Sequence, residues 1–347
     1  MATKKEIFMS ALRGEILERP AVACVDQTAT YEQMELCGAK WPEANYDAEK
    51  LAELAFFGAK MLDWDAVRIP FCQTVEEEAL GCILKPADEK NLPSVAEHAF
   101  KPKETPNPEF PADFLQRGRC QMLINAIKLA KEKILAEKAE TGEERALMGG
   151  IIGPFTIASE LIGLKTCLKF VLKTPEKLVP FLNIAREACV ALGNELLKAG
   201  ADAISCEDMM ASVDIISPQN YMDNALPWEI EMCQQINGPV ILHICGKVDF
   251  IIEGMMKSGA VALSFEPKTD VEAVKKALAD NGLKLGLIGG IDTINDLFHG
   301  GVEEVAAAAK KAIADGYHVI APGCSLPPAT TADKLKPMKD AVDAYGK

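Results

Sequence analysis

No pair among the 11 cysteines sits at Cys-x-x-Cys spacing, and residues 1–20, broken by Lys4, Lys5, Glu6, Arg13 and Glu15, contain no apolar leader segment. Both absences argue against a disulfide framework and point to reduced thiols in a soluble cytoplasmic protein. No run approaches the ~18 consecutive apolar residues of a membrane span. Positive charge is in deficit, with 37 Lys and Arg against 51 Asp and Glu and a net charge of −14. Such a surface repels nucleic-acid backbones and anionic membranes, and an anionic small substrate would need a local basic pocket. No Gly-x-Gly-x-x-Gly turn follows the first apolar run, which removes the main support for a doubly wound dinucleotide-binding sheet.

Apolar residues make up 49% of the 347 positions, enough for a large core. Short apolar runs rich in β-branched residues read as strands near 21–25, 66–69, 147–152, 201–205, 239–244, 261–265, 284–288 and 317–321, with helical patterns between them. Eight such alternations in one chain predict a (β/α)₈ barrel, the α/β class, as a single domain over 1–347. Residues 4–17 read as a short amphipathic helix within an N-terminal extension (1–19). The proline-rich stretch 85–112 reads as a surface excursion, and a helix is expected over about 112–138.

The chemistry concentrates at Pro239-Val-Ile-Leu-His-Ile-Cys-Gly246. Residues two apart on a strand share a face, so His243 and Cys245 point the same way at the end of the fifth strand. The eighth strand ends in Ala321-Pro-Gly-Cys324 and the sixth at Glu266, close to the fifth on one side of the barrel rim. An imidazole and two thiolates are a zinc donor set. Two thiolates cancel the charge of Zn²⁺, which weakens it as a source of hydroxide and suits it to binding a third thiol as thiolate. Glu266 or water would fill the open position until that thiol arrives. His243 and Cys245 alone would be an ordinary buried pair; Cys324 makes the difference. Cys206 also ends a strand and is a rival ligand. Arg68, at the end of the second strand, offers a fork for sulfonate, phosphate or carboxylate oxygens, and Lys247 is a second anion contact, with an ion pair to a nearby acid as the alternative for each. Gln27, Asp208 and Asp292 end strands one, four and seven, where a side chain serves a ligand or caps a helix.

His243-x-Cys245 with the distant Cys324 resembles the zinc motif of the methylcobamide:coenzyme M methyltransferases of the uroporphyrinogen decarboxylase superfamily. The likeness extends through Ala11-Leu-Arg-Gly-Glu15, Arg19-Pro20, Gln27-Thr-Ala-Thr30, Trp41-Pro-Glu-Ala44, Ala66-Val-Arg-Ile-Pro70 and Leu115-Gln-Arg-Gly-Arg119. The resemblance implies a barrel, a zinc-bound thiol with Glu266 as exchangeable fourth ligand, and methyl transfer from a methylcobamide on a partner corrinoid protein to coenzyme M. Two positions depart from it: Lys247 and Gly290 stand where Asn is expected, and both bear on the acceptor. The alternatives are a corrinoid-dependent methyltransferase of O-demethylase type with another donor or acceptor, uroporphyrinogen decarboxylase itself, and a non-catalytic corrinoid-protein partner with structural zinc. The decarboxylase needs no metal but an Arg-rich segment after the first strand, and residues 26–30 contain no Arg.

Overall fold

The computed structural model describes residues 2–26 and 29–346. Its strands are β1 (Ala21–Val22), β2 (Ala66–Ile69), β3 (Ile83–Lys85), β4 (Ser94–Glu97), β5 (Ala146–Ile152), β6 (Ala203–Glu207), β7 (Val240–His243), β8 (Ala262–Phe265), β9 (Gly286–Ile291) and β10 (Val319–Pro322). Eight of them form one parallel sheet in the order β1-β10-β9-β8-β7-β6-β5-β2, with helices outside: a nearly closed (β/α)₈ barrel.

The seam between β1 and β2 is closed by Asp65. Its amide donates to the Val22 carbonyl at 2.8 Å, and its carboxylate accepts the Val22 amide at 2.8 Å. Arg19 grips the same carboxylate with two nitrogens at 2.7 and 2.6 Å. Arg19 thus serves barrel closure through a bidentate, partly buried charge pair.

Two apolar clusters fill the molecule. The larger lies between strands and helices; the smaller lies inside the barrel and draws a residue from every barrel strand. On β1, β2, β5, β6 and β8 that residue is alanine: Ala21, Ala66, Ala146, Ala203 and Ala262. Side chains this small leave the N-terminal end of the barrel hollow. Phe8 and Leu12 fill it, both fully buried, from the helix Lys4–Leu12. A nine-residue helix is too short to persist alone. Burying two such side chains gives it about 1.5–3 kcal/mol apiece. This helix ends five residues earlier than the pattern suggests, where Arg13 and Gly14 bond back to Ser10 and Ala11.

Strand alternation then sets the upper layer. On four of the strands the next inward positions turn polar: Ala66 gives Arg68, Ile241 gives His243, Ala262 gives Ser264, and Ala203 gives Ser205 and Glu207. All five are buried. A buried polar layer at the C-terminal ends of barrel strands marks where the chemistry sits.

The stretch after β2 is an excursion on that same face, and it has more structure than its prolines suggest. β3 and β4 pair antiparallel, and Phe114 is buried. The next helix starts at Cys120, not near 112, because residues 112–119 form turns around a short 3₁₀ helix, Phe114–Gln116. No helix among the described residues is long and apolar enough to cross a membrane.

The departure at Gly290 has a packing cause. Gly289 and Gly290 hold φ of +141° and +98°, and a Cβ on Gly290 would lie 2.3 Å from the Ala312 Cβ. Asn cannot occupy this position beside the helix Val302–Asp315. Gly290→Asn is expected to cost about 2–5 kcal/mol in a denaturant titration, from overpacking and backbone strain. Adding Ala312→Gly should recover the packing share. An unchanged midpoint for the single variant would contradict this account.

Candidate metal centre

β7 is buried along its whole length, and its inward residues are Ile241 and His243. Cys245 follows two residues on, and Cys324 follows β10. The donor atoms of His243, Cys245 and Cys324 all lie within 4.8 Å of one another. His243 Nε2 is 3.3 Å from Cys245 Sγ, and the two sulfurs are 3.7 Å apart. That is far outside disulfide length, and all the cysteines are free. On the other side of the ring, Nδ1 is 3.0 Å from Ser264 Oγ and 3.7 Å from Asp26 Oδ2. β7 and β8 place His243 and Ser264 directly opposite each other.

The electrostatics show what this crowding demands. Burial lowers the His243 pKa, but the nearby Asp26 carboxylate and Cys324 outweigh it and carry it up to about 10. A hydrogen bond from Cys245 and the imidazolium hold the Cys324 thiol down at about 4, against burial. Cys245 is pushed well up, by that same bond and by burial. Burial raises Asp26 to about 7 against the pull of His243. The metal-free cluster is therefore one thiolate, one imidazolium and one thiol. A divalent cation between the donors replaces the protons. Three ligands with no fourth among them fit the open, catalytic kind of zinc site better than a closed structural one.

Glu266 stands beside this group but not in it. Its carboxylate accepts the Gly246 amide at 2.5 Å and pairs with Lys268 at 2.8 Å. Arg68 is committed: it pairs with Glu207, donates to the Pro70 carbonyl, and both charged side chains are 1% exposed. Gln73 holds the other oxygen of Glu207. The alternative weighed for Arg68, an internal ion pair, is what the structure has. Asp208 is a helix brace, accepting from the Phe155 and Thr156 amides at 3.2 and 2.7 Å and from Thr156 Oγ. Asp292 caps the turn Thr293–His299 through the Ile294 and Asn295 amides. Lys247 is exposed. Cys206 faces the outer helices, 3.7 Å from Met232 Sδ. Gln27 lies outside the described residues.

The sequence reading did not single out Asp26, Ser264 or Glu207 as site residues. Ser264 and Glu207 were within reach of it, since strand alternation from Ala262 and Ala203 turns both inward.

Comparison with known proteins defines the family. The family model for uroporphyrinogen decarboxylase matches residues 3–345. A methylcobamide:CoM methyltransferase, MtaA, of Methanosarcina barkeri is 35% identical over 344 residues, covering 99% of this chain and 98% of its own. The methylcobamide:CoM methyltransferase MtbA of Methanosarcina acetivorans is 34% identical over 347 residues, with 99% and 98% covered. A solved methyltransferase from Methanosarcina mazei superposes with a TM-score of 0.93 at 34% identity over 100% of both chains. The chain belongs to the uroporphyrinogen decarboxylase family. Within that family it is an enzyme of the methyltransferase branch.

Loading metal into this cluster must displace a proton from Cys245 and one from His243, because both hold theirs at neutral pH while Cys324 does not. Apparent Zn²⁺ affinity of chelator-stripped protein is thus expected to fall roughly a hundredfold per unit as pH drops from 8 to 6. Competition against a metal indicator in several buffers checks this; a pH-independent affinity would contradict the ligand assignment.

Proposed function

We propose that this chain moves a methyl group from a methylcobamide, carried by a partner corrinoid protein, to a thiol at a zinc centre held by His243, Cys245 and Cys324. Coenzyme M is the acceptor named for the relatives. The observation that carries the reading is the three-donor cluster with an open position at the C-terminal mouth of the barrel.

Bound there, zinc would hold the thiol sulfur as a thiolate and fix its position. The chain's own residues do the rest. Cys245 and Cys324 supply the charge that keeps an added sulfur electron-rich, and His243 adds a neutral donor. Burial of His243 at 1% exposure excludes water from the inner side of the centre. Glu266 is the exchangeable carboxylate in this reading. Its bonds to the Gly246 amide and to Lys268 would keep it beside Cys245, within reach of the open position. In the reaction the acceptor sulfur bonds the methyl carbon as the cobalt–carbon bond breaks. The electron pair stays on cobalt as Co(I), and the thiol proton leaves to solvent.

Lys247, exposed one residue beyond Gly246, is the anion contact. Lys247→Ala is expected to raise KM for coenzyme M roughly threefold to fivefold, the worth of an exposed ion pair. KM for the neutral 2-mercaptoethanol should stay put. An equal change for both thiols would remove Lys247 from sulfonate recognition.

The central test is methyl transfer from free methylcobalamin in wild type and Cys324→Ala, each with its zinc content measured. Wild type should carry about one zinc and alkylate the thiol; the variant should lose metal and fall below about 1% of that rate. Transfer that survives without metal or without Cys324 would defeat the mechanism. Homocysteine and tetrahydrofolate run as parallel acceptors distinguish coenzyme M from the O-demethylase type of reaction.

A further inference from the structure

Asp26 follows β1 at the C-terminal mouth of the barrel and is fully buried. Neither carboxylate oxygen has a hydrogen-bond partner among the described residues. A buried carboxylate left this way is costly. Among the described residues its one charged neighbour at ion-pair range is His243, with Oδ2 3.7 Å from Nδ1. The opposite ring nitrogen, Nε2, faces Cys245 Sγ at 3.3 Å and so is the nitrogen on the metal side. An imidazole that gives Nε2 to a metal must carry its proton on Nδ1. That N–H meets Ser264 Oγ at 3.0 Å, with the Asp26 carboxylate behind it. Carboxylates so placed fix the tautomer of a ligating histidine and raise its basicity.

We propose that Asp26 is a positioning residue of the metal centre: it holds His243 in the Nε2-ligating form and adds a negative charge beneath the cluster. The inference rests on the zinc reading above. It also gives the unpartnered carboxylate a reason to exist. The cost of burying it is offset when the ring it faces carries positive charge, whether as imidazolium or through a bound cation.

Chelator-competition measurements of Zn²⁺ affinity on wild type, Asp26→Ala and Asp26→Asn, each paired with the thermal midpoint of its metal-free form, test this. Asp26→Ala should bind zinc about 10–100-fold more weakly, the usual effect of losing such a partner, in protein whose metal-free form still unfolds cooperatively. Asp26→Asn keeps the size but not the charge, so it should lose as much affinity as Asp26→Ala. Zinc affinity within threefold of wild type in Asp26→Ala overturns the inference and leaves the zinc reading intact. So does wild-type affinity in Asp26→Asn, which shows that the charge is not used. If wild type itself binds no zinc, both fall together.

Discussion

Two sulfurs 3.7 Å apart cannot both be thiolates in a buried site unless a positive charge lies between them. At that distance two like charges repel by about 4 kcal/mol even at an effective dielectric of 20. Metal-free, the chain meets the constraint with protons, one kept on Cys245 and one on His243. Both solutions need the same scaffold, because an imidazole must stay within reach of both sulfurs. The donors come from residues 79 positions apart, so local structure cannot bring them together. Only a barrel can, and its closure runs through the partly buried Arg19–Asp65 pair at the far end of β1 and β2.

Much of this was legible in the sequence because a parallel barrel is written in two simple periods. The eight strand positions follow from short apolar runs, and the inward direction of His243 follows from its distance to Ile241. Cys324 was legible as a residue just past a strand end, since every such residue in a barrel faces the same mouth. Arg68 and Asp208 show the limit of that rule. It gives the level of a side chain and not its partner. Glu207, 139 residues away from Arg68, takes up the guanidinium, and the amides of the helix Pro154–Ile162 take up Asp208.

Asp26 was harder for another reason. Its significance lies in what it does not bond, and an unpartnered carboxylate leaves no spacing pattern. The excursion after β2 was underread because proline content reports where regular structure is weak, not where short strands pair across a loop. Gly290 shows the converse. The odd residue in the pattern is set by a neighbour, Ala312, on the helix packed beside β9.

The helix Lys4–Leu12 has a consequence for the order of events. Phe8 and Leu12 stopper the alanine-lined end of the barrel, so the centre opens to solvent on one side only. In the proposed reaction that single doorway serves the small thiol and the large corrinoid protein alike. The thiol must already be seated when the protein settles over the doorway, and the methylated product is trapped until the protein departs. One plugged end thus turns a two-substrate reaction into a queue.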